Sequence, residues 1–157
     1  MDGAFEGDLI RPLGLMTLYF GYAEFEVDAL LDALNAVGLA RDTPKNAPLG
    51  QKLAVVREEL TRLPLPEAAQ VISLIDQARP RVDLRNVLVH SCILAEGRAR
   101  PSDKSQRELT VTPEQLTALA NEIFTWKEHL SAIRQKQLTP ALQRMFAMAP
   151  NNRWRGP

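Results

Sequence analysis

Apolar side chains recur in steps of three and four along the first forty residues, the spacing that places them on one side of an α-helix. The members of this first row are Leu13, Met16, Phe20, Ala23, Val27, Leu30, Leu34 and Val37. Pro12 suits the first turn of such a helix, and Gly38 suits its end. The pattern therefore predicts a long first helix between these two residues.

A second apolar row runs along the same helix, two positions away from the first. Its members are Leu15, Leu18, Tyr22, Phe25 and Ala29. A helix that is apolar on two sides is either central in its own domain or packed against another subunit. Because the chain offers few helices to surround it, we predict that the second row packs against another subunit in a homodimer.

Two more helices are predicted before residue 92. The second helix starts at Pro48 and ends at Pro64, and the third begins near Pro66. Pro80 either kinks the third helix or restarts it, since proline donates no helical hydrogen bond. The part after Pro80 is expected to run to about Cys92. The charged residues of the second helix lie off its apolar row and predict a solvated face: Lys52, Arg57, Glu58, Glu59 and Arg62.

The pattern changes between residues 91 and 112. Strand-like runs at 92–94 and 109–111 flank turn-forming residues and predict a small hairpin or a long ordered loop. Thr112 then suits a helix cap, Pro113 the first helical position, and Gln115 the third residue of a capping box. A further main helix is therefore expected to begin here.

These elements predict an all-α fold, an up-down four-helix bundle with a small hairpin or loop insertion before the last main helix. We assign residues 1–136 to the bundle. Residues 137–157 are assigned to a short C-terminal helix, opened by Thr139 and Pro140, and a loose tail.

Composition limits the choice of partners. The chain has 157 residues with 19 basic and 19 acidic side chains, so its formal net charge is zero. A general coat for nucleic acid needs a basic excess, so any such contact must be a local patch. The single cysteine, Cys92, forms no intrachain disulfide and agrees with a reducing compartment. With no secretory signal and no membrane-spanning run in view, we expect a cytoplasmic protein with no membrane partner.

The segment from Arg85 to His90 places an Arg, an Asn and a His inside an apolar run. Burying these groups is costly unless they bond to one another or face a cleft. Asn86 and His90 lie four positions apart and share a helix face. In a structural interpretation, Asn86 and His90 bridge helices while Arg85 pairs with an acid such as Asp83 or Glu24.

In a functional interpretation, the same three side chains supply the parts for metal-independent phosphodiester chemistry. An imidazole titrates near neutral pH and can move a proton. A guanidinium can hold a phosphate through two parallel hydrogen bonds. Glu24 and Glu26 could support such a site, although acids on a helix face are more often solvated or salt-bridged. Both interpretations remain open on the residues alone.

The pattern Arg85-Asn86-x-x-x-His90 resembles the motif of HEPN domains, an Arg followed within a few residues by a His, often with Asn or Asp beside the Arg. The resemblance covers roughly residues 8 to 136. It implies a helical-bundle RNase in which two subunits pair their motifs, with His90 as general acid/base, Arg85 as phosphate ligand and Asn86 as orienting residue. It also implies a toxin or defence role with an antitoxin or regulatory protein as partner.

The same pattern also resembles the mannitol operon repressor family, which implies a non-catalytic regulatory or binding dimer. The insertion after His90 is not part of the minimal HEPN pattern, so the subfamily stays open.

Basic residues surround the motif and form a candidate RNA-backbone patch: Arg81, Arg98, Arg100 and Lys104. A solvated basic loop explains them equally well, because no aromatic residue lies between 79 and 107 to stack a base. Beyond His90 and Cys92 the chain has one other histidine, His129, and no second cysteine. A closed zinc site needs three or four such ligands, so we expect no metal and no cofactor.

Overall fold

A computed structural model describes residues 4–40, 43, 46–93, 98–101 and 109–147. At 4–8, 91–93, 98–101 and 109 it describes the backbone alone. The helices are α1 Ala4–Ala36, α2 Leu49–Thr61, α3 Pro66–Val89, α4 Pro113–Ile133, a π-helix Arg134–Leu138 and α5 Thr139–Ala147. The strands are β1 Ser91–Ile93, β2 Arg98–Pro101 and β3 Leu109–Thr110. The all-α class is confirmed, since the helices form the core and the strands form a small insertion.

The start of α1 differs from the prediction. The helix begins at Ala4, so Pro12 lies inside it and not in its first turn. Leu9, one turn before Pro12, is buried in the core. The proline removes one backbone hydrogen bond, but the burial of Leu9 and of Pro12 itself offsets that loss and lets the helix continue.

The end of α1 agrees with the prediction. Gly38 has φ 88°, in the left-handed region where a side chain is strained. Its N–H donates to the Asn35 carbonyl at 3.0 Å, and the Leu39 N–H donates to the Leu34 carbonyl at 2.9 Å. These two bonds satisfy carbonyls that the end of the helix would otherwise leave free.

The third helix is longer than its proline suggested. α3 is one continuous helix that contains Pro80 and ends at Val89. The expected extension to Cys92 is wrong, because residues 91–93 form β1. The second helix, by contrast, lies between Pro48 and Pro64 as predicted.

The insertion is a three-stranded antiparallel sheet in the order β1-β2-β3. The two predicted strand-like runs correspond to β1 and β3, but they do not pair with each other. β2 lies between them, with Cys92 opposite Arg100 and Ala99 opposite Leu109. A strand of sequence Arg-Ala-Arg-Pro carries no apolar alternation, which is why the pattern did not reveal it.

The fourth helix begins as predicted. The Thr112 hydroxyl accepts from the Gln115 N–H at 3.2 Å, and the Gln115 side chain accepts from the Thr112 N–H at 3.0 Å. This capping box satisfies two helix-end donors and fixes the step from β3 into α4. α4 runs through the π-helix into α5, and Leu138 and Leu142 join the same core as the main helices.

Each of the four main helices packs against two others. α1 contacts α2 and α4, and α3 contacts α2 and α4. Trp126 of α4 is a core residue: it is buried, and its indole N–H donates to the Leu74 carbonyl of α3 at 2.7 Å. Within the described ranges, no helix combines the length and the apolar character needed to cross a membrane.

Candidate functional site

The three motif residues occupy the last turn of α3 and the position that caps it. Arg85 and Asn86 lie within the helix, and His90 caps its C-terminal end. The His90 N–H donates to the Asn86 carbonyl at 3.2 Å, so the backbone fixes His90 one turn beyond Asn86. The continuous helix therefore sets the spacing of the three groups without any loop between them.

The Arg85 guanidinium is held from two sides. Its Nη1 donates to Asn86 Oδ1 at 3.1 Å, and its Cζ lies 5.8 Å from the centroid of the Phe20 ring on α1. A cation over an aromatic face is attracted by the ring electrons. Arg85 Nε is buried and has no hydrogen-bond partner in the described part of the chain. Buried donors without a partner are uncommon in folded proteins, and an anion that reached the half-buried guanidinium would satisfy this one.

His90 stands apart from the other two side chains. It is exposed, while Arg85 and Asn86 are half-buried. Among the described residues, no hydrogen bond joins its imidazole to either of them. The anticipated pairing of Arg85 with Asp83 or Glu24 is also not observed in these ranges. The structure thus joins Arg85 to Asn86 and leaves the imidazole open to solvent.

The candidate RNA-binding residues divide into two groups. Arg81 Nε lies 2.7 Å from Glu122 Oε2, an ion pair that ties α3 to α4. Arg98 and Arg100 lie on β2, the second strand after the motif helix, and the structure describes only their backbone. Lys104 lies outside the described residues altogether. Of these four residues, only Arg81 has a described side chain, and its charge is paired with Glu122.

Neither candidate supporting acid contacts the motif. Glu24 Oε1 and Asp28 Oδ1 of α1 lie 3.0 and 2.8 Å from Lys52 Nζ of α2. Lys52 is buried at 2% exposure, so its expected place on the solvated face of α2 is wrong. Two acids four positions apart share a helix face, which was the available sequence signal for this site. Only the packing of α2 on α1 shows that a lysine fills it.

The environment of Lys52 makes a pH-dependent contribution to folding. Burial lowers the pKa of Lys52, but hydrogen bonds and attraction from Asp28 and Glu24 outweigh it, so the pKa lies above its ordinary 10.5. A cation with a raised folded-state pKa stabilises the fold fully below the unfolded pKa. That stabilisation is lost as the pH rises through the folded pKa.

We expect Lys52→Met to reduce the free energy of unfolding by a constant amount at neutral and mildly alkaline pH. The difference from wild type should start to shrink above about pH 10.5, where the lysine of the unfolded chain titrates, and should continue to shrink as the pH rises through the higher pKa of folded Lys52. Urea unfolding from about pH 7 to pH 12 measures it, with Lys136→Met at an exposed lysine as the control. A difference that stays constant across this range would contradict the assignment.

The second acid, Glu26, is buried and pairs with Arg134, where α4 passes into the π-helix. The Arg134 Nε donates to Glu26 Oε1. This pair connects α1 to the end of α4, and it includes none of the three motif residues. Its role is therefore structural.

A cleft of about 610 Å³ lies between α3 and α4 beside the motif. Its floor is apolar, and the Arg81–Glu122 ion pair stands at its edge. The lining residues include Leu84, Leu88, Val111, Leu116 and Leu119. Arg85, Asn86 and His90 do not line it, so the cleft adjoins the candidate site without containing it. The described residues hold no group of three or more His, Cys, Asp or Glu placed to bind a metal ion.

The sequence assigned neither Phe20, the ring against the Arg85 guanidinium, nor Lys52, the partner of Glu24 and Asp28, to any site. Phe20 belongs to the first apolar row of α1, and nothing in that row distinguishes the member that lies under Arg85. Comparison of the chain with protein-family models, with curated proteins and with solved structures found no match.

Proposed function

We propose that the protein is a metal-independent endoribonuclease of HEPN type, cytoplasmic and homodimeric, built on an up-down four-helix bundle. The observation that carries the proposal is the difference in exposure between the Arg85–Asn86 pair, which is half-buried, and His90, which is exposed. Within the described residues, the buried Nε of Arg85 has no hydrogen-bond partner although Nη1 bonds to Asn86, while His90 stays exposed one turn away. A trio with a purely structural role would satisfy its donors and bury its imidazole.

The proposed roles follow from these positions. The ribose 2′-oxygen bonds to the adjacent phosphorus as the bond from phosphorus to the 5′-oxygen breaks, which leaves a 2′,3′-cyclic phosphate and a 5′-hydroxyl. The exposed His90 imidazole takes the proton from the 2′-hydroxyl and returns a proton to the leaving 5′-oxygen. Arg85 binds the phosphate and stabilises its growing negative charge. Asn86, bonded to Arg85 Nη1, orients the guanidinium.

Two features support the bundle and a regulated role. The four main helices form a closed cycle of contacts, which agrees with a four-helix bundle. A ribonuclease without a metal requirement needs control in the cell, which fits a toxin or defence function held by an antitoxin or regulatory protein. The β2 arginines, Arg98 and Arg100, with Lys104 and Arg81, are the proposed RNA-backbone contacts.

The test of the proposal is cleavage by purified wild-type protein in the presence of a chelator. A diverse RNA pool is incubated with the protein after any co-purifying inhibitor has been removed under denaturing conditions and the protein refolded. We expect cleavage products that end in a 2′,3′-cyclic phosphate, since the attacking group is the neighbouring hydroxyl. Loss of cleavage in chelator, with recovery on adding a divalent metal, would count against the metal-independent mechanism.

Arg85→Ala should lower both the rate of cleavage and the affinity for RNA. Loss of a charge-assisted hydrogen bond to phosphate is worth about 1.5–3 kcal/mol, or roughly tenfold to 150-fold. Filter binding and single-turnover cleavage measure the two effects, with Arg79→Ala, an exposed arginine of the same helix, as the control. If both variants lose equal affinity, the effect is general charge and not a phosphate site at Arg85.

The alternative function is a non-catalytic regulatory or binding dimer of the mannitol operon repressor kind. The observation that favours it is the contact of Arg85 with Phe20, which joins α3 to α1. In that case Arg85→Ala lowers the free energy of unfolding, and no variant of the motif changes RNA turnover. Thermal unfolding beside the cleavage assay separates the two functions.

A further inference from the structure

One side of α1 is apolar and uncovered. Leu18, Tyr22 and Phe25 are 49%, 47% and 73% exposed, although they are large hydrophobic side chains. They belong to the second apolar row of the sequence. We call the surface formed by these three residues together with Arg11, Gly14, Gly21 and Asp32 the α1 face. The Tyr22 ring also contacts Tyr19, whose ring packs on Phe124 of α4, so aromatic contacts connect the α1 face to α4. Contiguous exposed apolar surface of this kind marks an interaction site.

Two glycines lie within the α1 face. Gly14 and Gly21 are exposed in the interior of the helix, and nothing lies within 4 Å of the position that a Cβ would take at either. Glycine weakens a helix interior relative to alanine, so neither residue helps the isolated protomer. Each leaves open space in which a second backbone or a large side chain can approach closely.

The α1 face is nearly symmetric about the bond between Gly21 and Tyr22. Leu18 and Phe25 lie at equal distances on either side of this point, and so do Arg11 and Asp32. Arg11 and Asp32 are both exposed, with opposite charges. If a second copy of the helix lay antiparallel on the first, each Arg11 would face an Asp32, and each Gly21 would face a Tyr22. Charge and size are therefore complementary between the α1 face and its own inverted copy.

We propose that two copies of this chain associate through the α1 face, with their α1 helices antiparallel about a two-fold axis near Gly21 and Tyr22. Leu18 packs on the partner's Phe25, Tyr22 fills the space at the partner's Gly21, and Arg11 pairs with the partner's Asp32. This specifies the homodimer of the proposed function, and it rests on that part of the proposal alone, since it requires no RNA cleavage.

The arrangement also fixes where the motifs lie. Phe20, which is buried under Arg85, precedes Phe25 by five residues and so points about 140° away from it around the helix axis. The motif of each protomer thus lies on the far side of α1 from the α1 face. Each protomer keeps its own Arg85 and His90 in this dimer, whereas the HEPN resemblance implies two motifs that meet at the interface.

The experiment is a charge reversal read out by molar mass. Wild type, Arg11→Asp, Asp32→Arg and the doubly reversed variant are compared over a concentration series by light scattering coupled to size exclusion, against the monomer mass of 17.5 kDa. Each single reversal creates two like-charge pairs across the two-fold, so the dissociation constant should rise roughly fivefold to thirtyfold. The double reversal should restore it. Within one protomer Arg11 and Asp32 are about 32 Å apart along the axis, so rescue requires a second chain.

A second arm tests the apolar centre. Phe25→Asp should raise the dissociation constant by roughly a hundredfold or more, and Leu84→Asp, at a 41% exposed leucine of α3, should not change it. Circular dichroism confirms the fold of each variant. A wild-type monomer at every concentration, a dimer that Phe25→Asp leaves intact, or single reversals without rescue would each overturn the arrangement. None of these readouts involves RNA, so they leave the ribonuclease proposal to its own test.

Discussion

Replacing His90 by alanine is expected to slow RNA cleavage in chelator by about a hundredfold to ten-thousandfold, the usual contribution of a general acid or base. The imidazole is exposed at the end of α3, and it is the side chain of the motif whose ring nitrogens can both accept and donate a proton. Single-turnover cleavage of a defined RNA measures the rate. His129→Ala is the matched control, since His129 is exposed on α4 and is the only other histidine of the chain.

The same variant should remain folded, which makes the result interpretable. The bond of His90 to the helix runs from its backbone N–H to the Asn86 carbonyl and does not need the imidazole. We expect the thermal midpoint of His90→Ala to match that of wild type. If wild-type protein freed of any inhibitor cleaves diverse RNAs no faster than folded His90→Ala, the ribonuclease proposal fails and the regulatory function takes its place.

Local sequence signals predicted the parts of the fold that depend on neighbouring residues. The capping box at Thr112 and Gln115 and the helix end at Gly38 each use groups only a few positions apart, so residue type and spacing suffice. The prediction at Pro12 was wrong because the burial of Leu9 and Pro12 outweighs the local preference of proline. β2 was missed, although it is the central strand, because its sequence Arg-Ala-Arg-Pro has no periodic apolar pattern.

Contacts between residues far apart in the chain determine the burial of Lys52 and the surroundings of Arg85, which local patterns did not predict. Lys52 is charged and lies off the apolar row, so periodicity assigns it to solvent, yet two acids of α1 hold it in the interior. The motif shows the same limit. Its spacing placed Asn86 and His90 one turn apart, but the contact of Arg85 with Phe20 joins residues far apart in the chain. Which donors stay free for a ligand depends on such contacts.

The largest expected effect on stability comes from the pair between α1 and the end of α4. Glu26 and Arg134 have side chains only 7% and 18% exposed. Removing one partner of such a pair leaves the other charge desolvated and unpaired, so Arg134→Met should lower the free energy of unfolding by about 3 kcal/mol. Urea unfolding at neutral pH measures the change.

The combined variant Glu26→Leu, Arg134→Met should recover most of this loss, because two apolar side chains replace a buried ion pair at little cost. The control is Arg57→Met, which breaks the pair of Arg57 with Asp76, whose side chains are 46% and 53% exposed. Solvent screens that pair, so its loss should cost less than about 1 kcal/mol. If Arg134→Met costs no more than Arg57→Met, Glu26 gains enough water in the variant to remain charged, and the junction of α4 with the π-helix is looser than its burial indicates.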